Sequence, residues 1–285
     1  MDEKDYELLV TLHKLKNITK TAQKLYLSQP SLTKRIQNIE NELQCQLVVR
    51  SHKGIIFTPA GESLIPYATQ ILSSSRLMRE QVASKQAEIC GTLRIGVPQN
   101  FAYYHLPALL RRYTNQYPKV NVQIEISQSR KVHQMLQQDE ITIAIVRGEY
   151  PWDEEMELLS TEPICLVCNQ ENIGRPLNQY PYICRHTDAD INIKIYSWLK
   201  SRGYPDIQPS FKIDSTDICK EMVRYGLGWS ILPGSRLADF DGYREELILD
   251  SQTPVIRNTY VLYRRIYTQF PQVEKFLQFL KEDSY

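Results

Sequence analysis

One face of the stretch "SQPSLTKRIQNIE", positions 28 to 40, presents Ser31, Lys34, Arg35 and Asn38, with Gln29 and Thr33 flanking its first turn. Amides and hydroxyls so placed offer hydrogen bonds to base edges in a major groove, and the cations offer charge to phosphates. The surroundings are basic. From position 14 to 53 stand Lys14, Lys16, Lys20, Lys24, Lys34, Arg35, Arg50 and Lys53 against Glu40 and Glu42, within a 285-residue chain whose formal net charge is +1. A local basic excess in a nearly neutral chain is the electrostatic footprint of a nucleic-acid contact. A solvated helix surface produces the same charge run, so the elements that carry it must decide.

Other chemistries find less support. Cys165-Leu-Val-Cys168 has the spacing of a redox or zinc pair, yet it lies in "PICLVCN", a strand-like run whose alternation sends the two thiols to opposite faces. Buried packing is the expected use of both. Cys45, Cys90, Cys184 and Cys219 are scattered along a chain without an export signal, so no disulfide framework is expected. The histidines His13, His52, His105, His133 and His186 are dispersed, and His52 reads as a solvated turn residue because no ligand stands at metal spacing beside it. No G-x-G-x-x-G, P-loop, H-E-x-x-H or G-x-S-x-G occurs. The expectation is a protein that is not an enzyme and carries neither cofactor nor metal.

With 42% hydrophobic and 24% charged residues the chain has the composition of about two globular domains. No apolar run reaches the roughly 18 residues a membrane span needs, and "MDEKDYELLV" is acidic where a signal peptide is basic. A cytoplasmic location and no membrane partner are expected.

The elements follow from spacing. Leu8, Leu9, Leu12 and Leu15 predict a helix over residues 5 to 15. A second helix follows Asn17, with Thr19 as N-cap and Ala22 and Leu25 inward, and ends near Tyr26. Ser28 caps a third, with Pro30 in its first turn, where a missing N–H is harmless. There Leu32, Ile36, Ile39 and Leu43 face inward, which leaves the polar, basic face outward as a helix-turn-helix requires. "LVVRSHKGIIFT" predicts a hairpin around His52-Lys53-Gly54, a basic wing. Residues 59 to 86 read as one long helix bent at Pro66, whose seam of Leu64, Ala68, Ile71, Ser75, Met78 and Val82 predicts dimerisation; packing on its own domain is the alternative. After position 91, "TLRIGV", "LPALLRRYTNQY", "VNVQIEIS", "SRKVHQMLQQ" and "ITIAIV" alternate strand and helix, with Ser127 or Ser129 capping the second helix. A second such series, from "PICLVC" to "GLGWSILP", predicts two α/β halves with a ligand between them at the strand C-termini.

"ITKTAQKLYLSQPSLTKRIQNIE", with Ala22, Leu25, Ser28-Gln29-Pro30, Leu32, Ile36 and Glu40, then "FTPAG" at 57 to 61, and downstream "LRIGV", "LPALLRRYTNQYP", "ITIAIVRG" and "VRYGLGWSILP" together resemble the LysR-type transcriptional regulator family over the whole chain. The sequence departs from the family's pattern at Lys16-Asn17-Ile18, where Gly-Ser-Phe is frequent, at Gln44, where Gly is common, and at Thr142, where Asp is common. The first two departures lie at turns, and the third touches the effector half's internal polar contacts.

The resemblance implies an α/β protein with an N-terminal all-α winged helix-turn-helix, and an effector part of two α/β subdomains like periplasmic binding proteins. Its domains would be a DNA-binding domain at 1–58, a linker helix at 59–89 and an effector domain at 90–285, with subdomain I near 90–163 and 259–285 and subdomain II near 164–258. Gln29, Pro30, Ser31, Thr33 and Lys34 are the implied base or near-base contacts, and Arg35, Arg50 and Lys53 the phosphate contacts. The implied effector cleft is lined by Pro98, Gln99, Asn100, Phe101, Ser127, Gln128, Ser129, Arg147, Gly148, Cys184, Arg185, Ser215 and Thr216. Helix starts among them, with Arg147 and Arg185, point to an anionic small-molecule effector such as a carboxylate. Promoter DNA, that effector and RNA polymerase are the implied partners, with a homodimer that pairs into a homotetramer. Two alternatives stand beside this reading. One is a redox-responsive regulator using Cys184 beside Arg185; the other is a small-ligand-binding protein without specific DNA recognition, which leaves residues 1 to 58 unexplained.

Overall fold

The structure is a computed structural model that describes residues 1–51, 54–83, 88–185, 187–249 and 252–282, and of residues 50, 51, 77 and 80–83 the backbone alone. Helix α1 (Glu3–Leu15) starts in a capping box, the Asp2 carboxylate accepting the Asp5 N–H while the Asp5 carboxylate accepts the Asp2 N–H. Leu8, Leu9 and Leu12 are buried, and the helix stops at Lys16 in the left-handed region (φ +47°). Helix α2 (Ile18–Lys24) is capped by Asn17, whose Oδ1 accepts the Lys20 N–H at 2.9 Å. The expected cap, Thr19, lies two residues too far in, and its hydroxyl instead accepts from Gln29 Nε2 at 2.8 Å. In α3 (Gln29–Leu43) the Ser28 cap and Pro30 in the first turn are as expected, and Leu32, Ile36 and Ile39 are buried. Leu43 is 37% exposed, contrary to the expected inward face, because the chain turns away at Gln44 (φ +53°) directly after it.

Strands β1 (Val48–Ser51) and β2 (Gly54–Phe57) form the expected hairpin, from Val48↔Phe57 to Ser51↔Gly54; His52 and Lys53 lie outside the described residues. Glu40 ties this wing to α3, its Oε1 accepting from the Leu47 and Val48 N–H groups. Gly54 has φ +122°, and a Cβ there would stand 2.6 Å from the Lys16 carbonyl oxygen, so the hairpin closes against the α1–α2 turn only with glycine. Gly61, in "FTPAG", is required for the same reason, since a Cβ would meet the Leu47 carbonyl oxygen at 2.2 Å. Helix α4 (Pro59–Ala83) contains Pro66 and lies along α1. Leu64 and Ile65 pack into the winged-helix core and Ala68 and Ser73 are buried, whereas Tyr67, Ile71 and Met78 are exposed. The seam expected on this helix is thus divided: its first half packs on its own domain, Ile71 and Met78 face out, and the Val82 side chain lies outside the described residues.

The chain resolves into two compact units, Met1–Ala144 with Tyr263–Phe279, and Ile145–Leu262 with Leu280–Tyr285. The first continues through β3 (Gly91–Val97), α5 (Gln99–Tyr104), α6 (Leu106–Gln116), β4 (Val120–Ile126) and α7 (Ser129–Gln137) to the start of β5 (Ile143–Arg147), which from Ile145 on belongs to the second unit. β3 pairs in parallel with β4, from Gly91↔Val120 to Val97↔Ile126, and with β5 at Ile95↔Ile143, which is the expected β-α-β-α-β order. The N-cap position of α7 is Gln128, so neither expected serine caps it; Ser129 is already its first residue.

The second unit contains β6 (Glu155–Cys168), β7 (Tyr182–Arg185), α8 (Ala189–Ser201), β8 (Phe211–Ile213), α9 (Thr216–Arg224), β9 (Trp229–Pro233), β10 (Tyr243–Glu246), the short ladder of β11 (Ile248–Leu249) with β12 (Thr253–Pro254), and β13 (Ile256–Tyr263). β7 is parallel to both β8 and β9, while β6 is antiparallel to β9 and β10. Cys168 packs with Trp198 and Trp229, and Cys165 in a separate cluster with Ile183, Cys219 and Val223. The two thiols of the C-x-x-C spacing therefore serve two cores. Helix α10 (Pro271–Glu282) returns to the first unit, where Tyr113 Oη donates to the Gln272 carbonyl at 2.6 Å.

One residue of the first unit joins three segments. Asp139 adopts φ +52°; its Oδ1 accepts from Arg264 Nε at 2.8 Å and from Tyr267 Oη at 2.6 Å, and its carbonyl accepts from Arg76 Nη2 of α4 at 2.7 Å. Burial, then the bond to Asp139, raises the Tyr267 phenol above its ordinary range, so it stays a donor at any physiological pH. Asp139→Ala should lower the urea unfolding free energy by about 2 kcal/mol, because charge-assisted bonds are lost and a left-handed position loses the short polar side chain that makes it tolerable. Asp139→Asn should lose less, since Asn keeps an acceptor oxygen and tolerates φ > 0. Equal losses for the two variants would overturn this, because the neutral acceptor would then preserve nothing and the carboxylate charge would carry the whole effect.

Candidate functional site

On α3, Gln29, Pro30, Ser31 and Lys34 are exposed and Thr33 is half-buried beside the wing. Gln29 is held by its bond to Thr19, and Ser31 Oγ lies 2.8 Å from Ser28 Oγ. The helix start is thus displayed with its polar side chains already oriented. Arg35 is different. Its Nε donates to Asp5 Oδ1 and its Nη2 to Asp2 Oδ1, each at 2.5 Å, and these carboxylates, the Asp5 hydrogen bond first, hold the guanidinium pKa above its ordinary value. The structure brings Gln29, Ser31, Thr33 and Lys34 together and commits Arg35 to the α1 capping box. Arg50 pairs through its backbone with Ile55, its side chain lies outside the description, and so does Lys53.

Sequence reasoning passed over Tyr26. It sits in the turn two residues before the α3 cap, with φ +56° and 96% exposure. The only signal for it was an aromatic residue between a short helix and an N-cap. Lys16 and Gln44, two of the departures from the family pattern, occupy left-handed positions, where glycine is free of strain and a side chain costs about 1 kcal/mol at each.

In the first unit the register Val97↔Ile126 sets two loops side by side, Pro98 to Phe101 after β3 and Ser127 to Ser129 after β4. Gln99 and Gln128 are exposed, Asn100 and Ser127 half-buried, and Pro98, Phe101 and Ser129 buried. Phe101 packs against the His105 ring at 5.2 Å, so it is a core residue as well as a candidate. Thr142 is buried, and both its hydroxyl (2.8 Å) and its N–H (3.0 Å) donate to the Arg94 carbonyl, so the missing Asp leaves no polar group unpaired there.

In the second unit the register Arg185↔Ile213 places Cys184 and Arg185 beside the residues that follow β8, where Ser215 caps α9 through the Ile218 N–H and Thr216 is buried. Gly148 has φ +99° and donates its N–H to the Asn258 carbonyl at 2.9 Å. Arg147 is buried and ion-paired with Glu162, which also accepts from Ser235 Oγ. Burial first, then the charges of Arg257, Arg185 and Arg236, depress the Arg147 pKa. Burial, then Arg257, pushes Arg185 down to about 10. Arg236, Arg257 and Asp188 therefore belong to this neighbourhood. They are far apart in sequence and no spacing marks them. Among the described residues no cluster of His, Cys, Asp or Glu could hold a metal ion, and no helix is long and apolar enough to cross a membrane.

Cys184 is half-buried, its Sγ 3.7 Å from the Arg185 carbonyl oxygen. Burial pushes the Cys219 thiol up to about 11 and the Cys165 thiol likewise to about 11. At pH 8 only about one in a thousand molecules carries either as thiolate. Iodoacetamide at pH 8 should thus modify Cys184, Cys45 and Cys90 well before Cys165, Cys168 or Cys219, with Cys219 accelerating as the pH approaches 11. Peptide mapping that found Cys219 alkylated as fast as Cys45 would overturn this order.

Residues 4–62 match the model described as bacterial regulatory helix-turn-helix protein, lysR family, and residues 86–284 match the LysR substrate binding domain. The helix-turn-helix transcriptional regulator YraN of Bacillus subtilis (strain 168) is 34% identical over 285 residues, covering 100% of this chain and 99% of its own. YkuM of the same organism is 29% identical over 287 residues, covering 99% of this chain and 97% of its own. A full-length OxyR variant from Pseudomonas aeruginosa superposes with a TM-score of 0.67 at 19% identity, covering 99% of this chain and 94% of that one. Full-length CbnR in complex with its target DNA gives a TM-score of 0.62 at 17% identity, with 99% of each chain covered.

Proposed function

The chain belongs to the LysR family of helix-turn-helix transcriptional regulators, and we propose that it reads its operator with Gln29, Ser31, Thr33 and Lys34 of α3. The carrying observation is the exposed, hydrogen-bond-oriented start of α3, displayed over a buried Leu32, Ile36 and Ile39. Pro30 fixes the first turn, Lys34 meets a phosphate beside the bases it reads, and Arg50 and Lys53 serve further phosphates together with the Tyr26 hydroxyl at the turn. Arg35 keeps α3 at its angle to α1 through Asp2 and Asp5. Residues 1–58 form the reading head and 59–89 the linker, with Tyr67, Ile71 and Met78 of α4 supplying an apolar stripe for a second copy; dimers then pair as tetramers. The regulator acts in the cytoplasm, on promoter DNA and with RNA polymerase, and catalyses no reaction.

Residues 90–285 form an effector domain that answers to an anionic small molecule. Its candidate contacts in the first unit are Pro98, Gln99, Asn100, Phe101, Ser127, Gln128 and Ser129, and in the second unit Arg147, Gly148, Cys184, Arg185, Ser215 and Thr216. The buried guanidinium of Arg147, the half-buried one of Arg185 and the start of α9 support an anion.

A gel-shift titration on DNA upstream of the protein's own gene, against scrambled DNA at two salt concentrations, tests the regulator reading. Lys34→Ala should weaken binding about tenfold and reduce the salt slope by about one. Arg35→Ala should lower the thermal midpoint while leaving the salt slope intact. A reduced slope for Arg35→Ala with an unchanged midpoint would return Arg35 to the phosphate contacts.

A further inference from the structure

Several buried polar atoms of the second unit meet no partner among the described residues. Arg257, 6% exposed at the start of β13, gives Nη2 to Asp188 Oδ2, while its Nε and Nη1 have no acceptor. Arg185 Nε at the end of β7 is in the same state. So are the hydroxyls of Thr187, 9% exposed, and Thr216, 4% exposed. Native proteins pair nearly all such groups, with protein, with ordered water or with a ligand.

Topology draws these atoms to one edge. β8 and β9 each pair in parallel with β7, one on either side, so the chain leaving β7 through Arg185, Thr187 and Asp188 into α8 runs beside the chain leaving β8 through Ser215 and Thr216 into α9. Two helix starts therefore face the carboxyl edge of the strands, the edge where open α/β sheets bind ligands. Asp188 occupies the N-cap position of α8 but makes no side-chain cap bond; its carboxylate is turned to Arg257 instead. Arg185 and Arg257 thus answer to a single carboxylate while repelling each other. The vacant donors, Arg257 Nε and Nη1, Arg185 Nε, and the Thr187 and Thr216 hydroxyls, outnumber the lone-pair sites of one carboxylate.

We propose that the second unit holds a tetrahedral oxyanion, a phosphate or sulfate group, gripped by Arg185, Arg257, Thr187 and Thr216 at the start of α9. This narrows the anionic-effector reading and rests on it. Arg257 and Thr187 become the anchoring residues, and Asp188 the internal anion that the ligand competes with for Arg257.

The test uses the full-length protein and inorganic phosphate, sulfate and acetate as probes, each at constant ionic strength held with sodium chloride. Thermal midpoints should rise saturably with phosphate or sulfate and at least tenfold less readily with acetate; whichever of the two tetrahedral ions binds tighter tells a phosphate-bearing from a sulfate-bearing ligand. Arg257→Gln and Thr216→Val should each weaken that ion at least tenfold, and Asp188→Asn should tighten it. Arg202→Gln, which breaks a pair with Glu245 outside the cluster, should change nothing. Acetate matching sulfate, or Arg257→Gln together with Thr216→Val leaving sulfate binding intact, overturns the proposal while the broader anionic reading stands. No response to any of the three probes overturns both, and the gel shift still judges DNA binding separately.

Discussion

The winged-helix domain depends on α1 being held along its length and from several sides. Leu8, Leu9 and Leu12 enter the core, each contributing about 1.5–3 kcal/mol on burial, but an apolar stripe alone leaves a helix free to roll. Polar side chains on its flanks remove that freedom. Asp2 and Asp5 hold Arg35 of α3, His13 Nε2 lies 2.8 Å from Glu62 Oε2 of α4, Glu3 pairs with Arg79, and Lys14 Nζ reaches Glu140 Oε1 at 2.6 Å. The angle of α3, and so the direction of its exposed start, is fixed through α1. The same helix seats α4, which meets Asp139 through Arg76. Reading helix and linker are thus positioned against one common strut.

Much of this was legible in the sequence because it rests on local rules. Helical spacing located α1 and α3, Ser28 and Pro30 marked a helix start, and strand alternation separated Cys165 from Cys168. What failed was decided by reach. Asn17 and Thr19 are both competent caps, and the backbone chose the one whose side chain meets the Lys20 N–H. Leu43 satisfies the inward spacing, but a helix end has no further turn to cover its last side chain. Arg35 fits a basic outer face equally well in sequence. Its partners lie 30 and 33 residues earlier in another helix, and no spacing rule connects them.

Candidate site residues were legible in proportion to how many of them follow strand ends. The loops after β3, β4, β7 and β8 were named through the family resemblance, and they follow the carboxyl ends of parallel strands. Arg257 could not be named, since it lies at the start of a strand and reaches the edge from the opposite chain direction. It is known only from its ion pair with Asp188 and from its effect on Arg147 and Arg185.

The two ends of the chain handle cations in opposite ways, and the difference follows from solvent. Lys34 stands in water, where its charge is screened and costs little to keep unpaired until a phosphate replaces counterions. Arg147, Arg185 and Arg257 are withdrawn from water, where mutual repulsion is stronger and each needs a fixed partner. Glu162 and Asp188 supply two. A fold that leaves further buried donors facing one edge carries a standing penalty in stability, and any anion that fits the edge removes it. Binding and stability are then the same free energy seen from two sides, which is how a small ion could shift the balance between states of a much larger chain.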